Sequence, residues 1–185
     1  MNLIKKYNFS GLITQKDIDT CIQDIDEVFA NSGWMQDRPT FQTYGYLFEY
    51  RPLLYKFKQS FIFSCLSYLK KDIKHFECKA WCYMDYHDNW IKKDQEEMWH
   101  KHSDNTAPFS PNLLTDKLSG IFYLRIPDAD SNHKYPTTEF KDDSDIFFED
   151  FTWFIYPSDL IHRPGKILSN EKRYCLGADF FYFDI

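Results

Sequence analysis

The 185-residue chain is poor in the residues that interrupt regular structure, with 6 Gly and 8 Pro. That scarcity excludes collagen-like repeats and Pro/Gly-rich low-complexity chains. No uninterrupted apolar stretch approaches the roughly 20 residues that cross a bilayer. The opening Met1-Asn2-Leu3-Ile4-Lys5-Lys6 also lacks the long apolar run and small-residue cleavage site of a secretory signal. An excess of positive charge is missing too. With 22 Lys and Arg against 28 Asp and Glu, the net charge is -6, which argues against a general phosphate-binding surface and so against nucleic acid as a partner. The expectation is a soluble, cytoplasmic protein without membrane association. Its five cysteines, Cys21, Cys65, Cys78, Cys82 and Cys175, are odd in number and mostly far apart, as expected of reduced thiols packed as small hydrophobes. Cys78 and Cys82 have no second pair to complete a zinc ribbon.

Aromatic residues are abundant: 18 Phe, 13 Tyr and 5 Trp make up 19% of the chain, enough to fill the core of one domain spanning residues 1–185. Thr14 and Asp17 resemble a capping box. Ile18, Cys21, Ile22, Ile25, Val28 and Phe29 then recur at helical spacing until Asn31-Ser32-Gly33 ends the run. After a partly extended stretch from Phe41 to Tyr50, Pro52 can open a second helix, whose apolar members include Leu53, Leu54, Phe57, Phe61, Cys65 and Leu69. From about residue 75 the texture changes to short β-branched and aromatic runs. These predict strands at Phe76–Tyr86, Leu118–Ile126, Thr137–Phe140, Ile146–Tyr156 and Arg173–Phe183. No helix-length pattern lies between them, so the sheet is expected to be antiparallel. A mainly β jelly roll follows, with residues 1–74 as a helical support region packed on one sheet of a core at 75–185. Asp88–Glu97 and Asp104–Lys117 read as loops, and the acidic runs at 128–130 and 142–145 as solvated surface.

The densest polar cluster is Met98-Trp99-His100-Lys101-His102-Ser103-Asp104-Asn105. It holds two overlapping metal-ligand patterns. Both His100-x-His102 and His102-x-Asp104 place two donors on one face of an extended backbone, and either pair needs a third ligand from a distant strand. His162, in the turn after Trp153-Phe154-Ile155-Tyr156-Pro157-Ser158, is the candidate for that third ligand. Arg173 opens the last strand eleven residues later. Pointing into a jelly-roll interior, it would be an unpaired buried charge unless an anion met it, and a ligand carboxylate would serve. His75, His87 and His133 have no such partners and read as structural or exposed.

Taken in order, His102-Ser103-Asp104-Asn105, Leu118-Ser119-Gly120-Ile121-Phe122-Tyr123-Leu124, Trp153 to Ser158 with His162, and Arg173-Tyr174 resemble the Fe(II)- and 2-oxoglutarate-dependent dioxygenases. The likeness is to prolyl-hydroxylase-like and small phage or bacterial members, and it covers roughly residues 76–184. It implies a double-stranded β-helix, the cupin-like jelly roll, with helices packed outside. It implies His102, Asp104 and His162 as iron ligands, with His100 replacing Asp104 on an alternative alignment. The set with the carboxylate is preferred because it completes a two-His-one-carboxylate triad. Arg173 would pair with the distal carboxylate of 2-oxoglutarate, Tyr123 would hydrogen-bond the same group, and Tyr83 would line the pocket.

Three protein ligands leave three positions of an octahedral Fe(II) for 2-oxoglutarate and dioxygen. The implied chemistry is decarboxylation of 2-oxoglutarate to succinate with hydroxylation of a C–H bond in a peptide or small-molecule substrate. Halogenases of that family carry a small residue in place of the carboxylate, so Asp104 also argues for hydroxylation. Two other readings compete: a cupin-like three-His dioxygenase using His100, His102 and His162 without a 2-oxoacid, and a jelly-roll binding module without catalysis.

Overall fold

The computed structural model describes residues 3–31, 41–42, 54–85, 98–104, 106–107, 109, 116–127, 136–141, 146–167 and 170–183. His87, His133, the expected loop at 88–97, most of the one at 104–117, and both acidic runs lie outside these residues. So do Pro52, Leu53, the helix stop at 32–33 and the side chains of Val28 and Phe29.

Among the described residues eight strands and two helices follow one another: β1 (Lys5–Asn8), α1 (Gln15–Asn31), β2 (Phe41–Gln42), α2 (Tyr55–Leu69), β3 (His75–Asp85), β4 (Asp116–Arg125), β5 (Thr138–Phe140), β6 (Thr152–Pro157), β7 (His162–Pro164) and β8 (Arg173–Phe183). They form an antiparallel six-stranded sheet in the order β1-β6-β4-β8-β3-β2 and a two-stranded ribbon, β5-β7. This is the expected mainly β architecture with helices on one sheet. Among the described residues no helix is long and apolar enough to cross a membrane.

Strand alternation separates two environments. On one face Tyr174, Leu176, Ala178 and Phe180 of β8 join Cys78, Ala80 and Cys82 of β3, Phe122 of β4 and Trp153 of β6 in a core completed by α1 and α2. Helix α1 contributes Ile18, Cys21, Ile22 and Ile25, and α2 contributes Phe57, Phe61 and Cys65. All five cysteines are buried and outside any disulfide, as expected of small hydrophobes. Gly120 lets α2 approach: a Cβ there would lie 2.7 Å from the Phe61 ring and 2.8 Å from Ile155. The opposite face carries a smaller cluster with Tyr123, Phe154, Tyr156 and Cys175, over which the β5-β7 ribbon lies with Phe140.

Two details differ from the pattern in the sequence. Strand β1 precedes the helices and pairs with β6, so residues within the first 74 belong to the sheet as well as to its support. The run from Ile146 is not continuous strand. Phe151 takes a left-handed φ of 56° and β6 begins only at Thr152.

The capping box forms as expected. The Thr14 amide donates to Asp17 Oδ2 at 2.8 Å, and the Asp17 amide returns a bond to Thr14 Oγ1 at 3.3 Å. The ammonium of Lys56 on α2 donates to Asp17 Oδ2 at 2.8 Å, tying the two helices together. Lys56, followed by Thr14, holds the Asp17 carboxyl at a pKa of about 2. A depressed carboxyl stabilises the fold above the ordinary carboxylate range near pH 4, and that contribution is lost as pH falls through about 2. Replacing Lys56 by Met should therefore flatten the loss of stability between about pH 4 and 2, read from urea midpoints. Thr14→Ala should cost about 1 kcal/mol at neutral pH in the same assay.

Candidate metal centre

The segment before β4 is drawn across the open face of the large sheet by backbone hydrogen bonds. The His100 amide donates to the His162 carbonyl at 3.0 Å and the His162 amide to the His100 carbonyl at 2.9 Å, while the His102 amide donates to the Ser158 carbonyl at 2.8 Å. This short antiparallel bridge sets the two histidine-bearing stretches side by side. His100 and His102, two apart on extended backbone, present their rings to the same side. The three rings have centroid separations of 5.2 Å for His100–His102, 4.5 Å for His100–His162 and 4.9 Å for His102–His162.

Each ring is oriented through Nδ1. His100 Nδ1 lies 2.9 Å from the Met98 carbonyl, His162 Nδ1 2.9 Å from the Leu160 carbonyl, and His102 Nδ1 2.8 Å from Asp179 Oδ1. All three partners are acceptors, so each Nδ1 carries a proton and Nε2 is the nitrogen left to bind a metal. One ring nitrogen of each residue can come within 4.8 Å of those of the other two. Burial, followed by the nearby His102 and His100, pushes His162 down to a pKa of about 3. His100 is also lowered, chiefly by burial. Both are therefore neutral bases at physiological pH.

Asp104 does not join this cluster. Extended backbone ends at His102, residues 103 and 104 form a turn, and the Lys117 ammonium donates to the Ser103 carbonyl. The turn swings Asp104 into solvent, where its Oδ1 accepts from Ser103 Oγ at 3.3 Å. The structure therefore groups His100 and His102 with His162 and leaves Asp104, expected as the carboxylate ligand, apart from them.

These imidazoles open onto a pocket enclosing about 520 Å³ including its mouth, lined by Tyr83, Asp85, Tyr123, Tyr156 and Arg173 among others. Arg173 is buried there but is not an unpaired charge. Its Nη1 donates to the carbonyls of Pro136 at 2.6 Å and Gly165 at 2.8 Å, and Nη2 lies 3.4 Å from Asp85 Oδ2, opposite it on β3. Nε has no partner among the described residues. The Tyr123 hydroxyl lies 2.8 Å from Thr138 Oγ1 and accepts the Thr138 amide at 2.6 Å, and burial pushes its pKa up to about 12. Tyr83 is raised as well, first by burial.

Three residues at the site are given no role in the sequence reading. Asp179 is an acidic residue inside a β8 that is otherwise apolar after Arg173, a signal visible in the sequence, whereas Asp85 ends a β3 that also carries Glu77 and Lys79 and stands out less. Tyr156, whose hydroxyl is 3.4 Å from His162 Nε2, carries no such mark in an aromatic run.

No family model matches the chain, and no curated protein does. Solved structures do. The viral collagen prolyl hydroxylase of Paramecium bursaria Chlorella virus-1 superposes with a TM-score of 0.61 at 11% identity, covering 98% of this chain and 91% of that one. HygX from Streptomyces hygroscopicus, solved with nickel, 2-oxoglutarate and hygromycin B, gives 0.61 at 9% identity over 97% and 83%. The non-heme α-ketoglutarate-dependent epimerase SnoN from nogalamycin biosynthesis gives 0.64 at 8% identity over 97% and 77%. The chain has the jelly-roll fold of the 2-oxoglutarate oxygenases.

Gly177 packs beneath this site: a Cβ there would lie 2.5 Å from Trp81 Nε1, and the Trp81 ring stands edge-on to His102 with centroids 5.1 Å apart. Gly177→Ala should displace the indole toward His102, lowering stability by about 1–3 kcal/mol in thermal or denaturant unfolding.

Proposed function

We propose that the protein is an Fe(II)- and 2-oxoglutarate-dependent oxygenase with His100, His102 and His162 as its metal ligands. The observation that carries this reading is the common orientation of the three rings, each tied through Nδ1 with Nε2 left as donor. Neutral imidazoles suit Fe(II), and a facial set of three leaves coordination positions open. Bound there, iron would supply dioxygen activation coupled to decarboxylation of 2-oxoglutarate to succinate, and with it the means to oxidise a substrate C–H bond.

The remaining residues support that chemistry. The Nε–Nη2 edge of Arg173 has one donor unpartnered and the other engaged only at 3.4 Å. Such an edge grips a carboxylate with two parallel N–H groups, which fits the distal carboxylate of 2-oxoglutarate. Tyr123, held by Thr138, would donate its hydroxyl proton to the same carboxylate, and Tyr83 would wall the pocket. Aromatic walls and the β5-β7 ribbon keep bulk water from the reacting atoms. With three protein ligands in the set, none is missing to leave a gap for a halide.

The outcome proposed is hydroxylation of a peptide or small molecule. HygX holds hygromycin B, the viral enzyme is named for collagen and SnoN is an epimerase, so the fold accommodates both substrate classes and more than one reaction. The net charge of -6 favours neither nucleic acid nor other polyanions.

A second reading has two observations in its favour. Asp85 already stands opposite Arg173, and the ligand set has no carboxylate, as in a three-His dioxygenase that needs no 2-oxoacid. Succinate formed from 2-oxoglutarate by the Fe(II)-loaded protein separates the two: turnover supports the first reading, and its absence despite tight metal binding supports the second. In metal titrations His100→Ala and His162→Ala should abolish binding while Asp104→Ala leaves it unchanged; the reverse pattern restores the carboxylate set. Arg173→Ala should raise the KM for 2-oxoglutarate far more than Tyr123→Phe, for which one hydrogen bond is worth about 1 kcal/mol.

A further inference from the structure

Two of the three imidazoles are oriented by main-chain carbonyls, those of Met98 and Leu160, and the third by a carboxylate. A carbonyl is enough to hold a proton on Nδ1, so a neutral acceptor would have served at His102 as well. Asp179 is instead a carboxyl side chain with no exposed surface, in the middle of the strand whose other face forms the core. Burying a carboxylate is costly unless cations and hydrogen-bond donors lie within reach. Lys79 stands opposite Asp179 in the register of β3 and β8, and a divalent ion on the far nitrogen of the His102 ring would add a cation on the side of the metal centre.

Resting on the metal-centre reading above, we infer that Asp179 is the positioning residue of the site: it fixes the His102 tautomer and supplies, one imidazole away, the negative charge that three neutral ligands lack. Asp179 Oδ1 receives His102 Nδ1–H at 2.8 Å and lies 2.7 Å from Ser119 Oγ, its cross-strand neighbour on β4. Ser119 Oγ is also 2.9 Å from Ser158 Oγ, and the Ser158 carbonyl anchors the His102 amide. One carboxylate oxygen, two hydroxyls and a peptide group thereby set both the backbone and the ring of His102. A carboxylate behind a ligating imidazole increases its basicity and resists rotation of the ring, and loss of such a partner typically weakens metal binding roughly 10–100-fold.

The test uses the full chain, Co(II) alone as probe, and no 2-oxoglutarate or oxygen. Asp179→Asn keeps an acceptor but removes the charge. It should bind Co(II) roughly 10–100-fold more weakly than the parent. Asp179→Ala should in addition mix the His102 tautomers in imidazole NMR of the metal-free protein, where the parent shows the proton on Nδ1. A residue with a merely structural role would leave both Co(II) binding and the tautomer alone. Co(II) binding by Asp179→Asn equal to that of the parent overturns the charge role, and an unmixed tautomer in Asp179→Ala overturns the orienting role. If neither variant folds, the parent loaded with Zn(II) decides. The Nδ1–H resonance of His102 should lie furthest downfield of the three, and equivalence with His100 and His162 overturns the inference. A parent that binds neither metal removes the metal-centre reading itself, which is a different result from a binding parent matched by its variants.

Discussion

The amide of His100 donates to the carbonyl of His162 and the amide of His162 donates back, and on this reciprocal pair the arrangement of the pocket depends. Side chains one residue pair apart on antiparallel backbone share a face, so the bridge converts two remote stretches of chain into neighbours without a long element between them. His102 follows from the same geometry, because alternation returns the ring to that face two residues later. A backbone register sets which side chains meet, and side-chain bonds through Nδ1 then set which atom each one presents.

Strand β8 joins this pocket to the rest of the molecule. Its even-numbered residues from Tyr174 to Phe180 pack into the helix-covered core, and its odd-numbered residues Arg173, Cys175, Gly177 and Asp179 stand on the pocket face. A one-residue slip would bury the polar set in the core and expose the aromatic set to the pocket, so packing energy on one side fixes chemistry on the other. The buried polar groups are accordingly held from several directions. Arg173 is met by two carbonyls and Asp85, and Asp179 by Ser119 and His102.

Much of this was legible in the residue order, because it rests on local periodicity. The capping box at Thr14 and Asp17, the apolar spacing of both helices, and the long runs around β3, β4 and β8 needed no tertiary information. His102, His162 and Arg173 stood out as polar residues in an aromatic half. The choice between His100 and Asp104 did not, since spacing of two fits both, and only the point where extended backbone gives way to a turn separates them. Ser103-Asp104-Asn105 has turn composition, and that was the available signal. Strand β1 was missed because four residues with two lysines carry little β pattern; its place comes from pairing with β6 far along the chain. Asp85 and Asp179 gain their meaning from cross-strand partners at Arg173 and Ser119, which no local pattern names.

The two sheets are very unequal. His162 belongs to a ribbon of two three-residue strands, whereas His102 is tied through Asp179 to the centre of a six-stranded slab. Thin, sparsely bonded elements open at lower free energy than the slab beneath them. An ion gripped by all three rings would act as a clasp, fastening the loose cover to the firm base, so that release of the ion and lifting of the cover become one thermodynamic event.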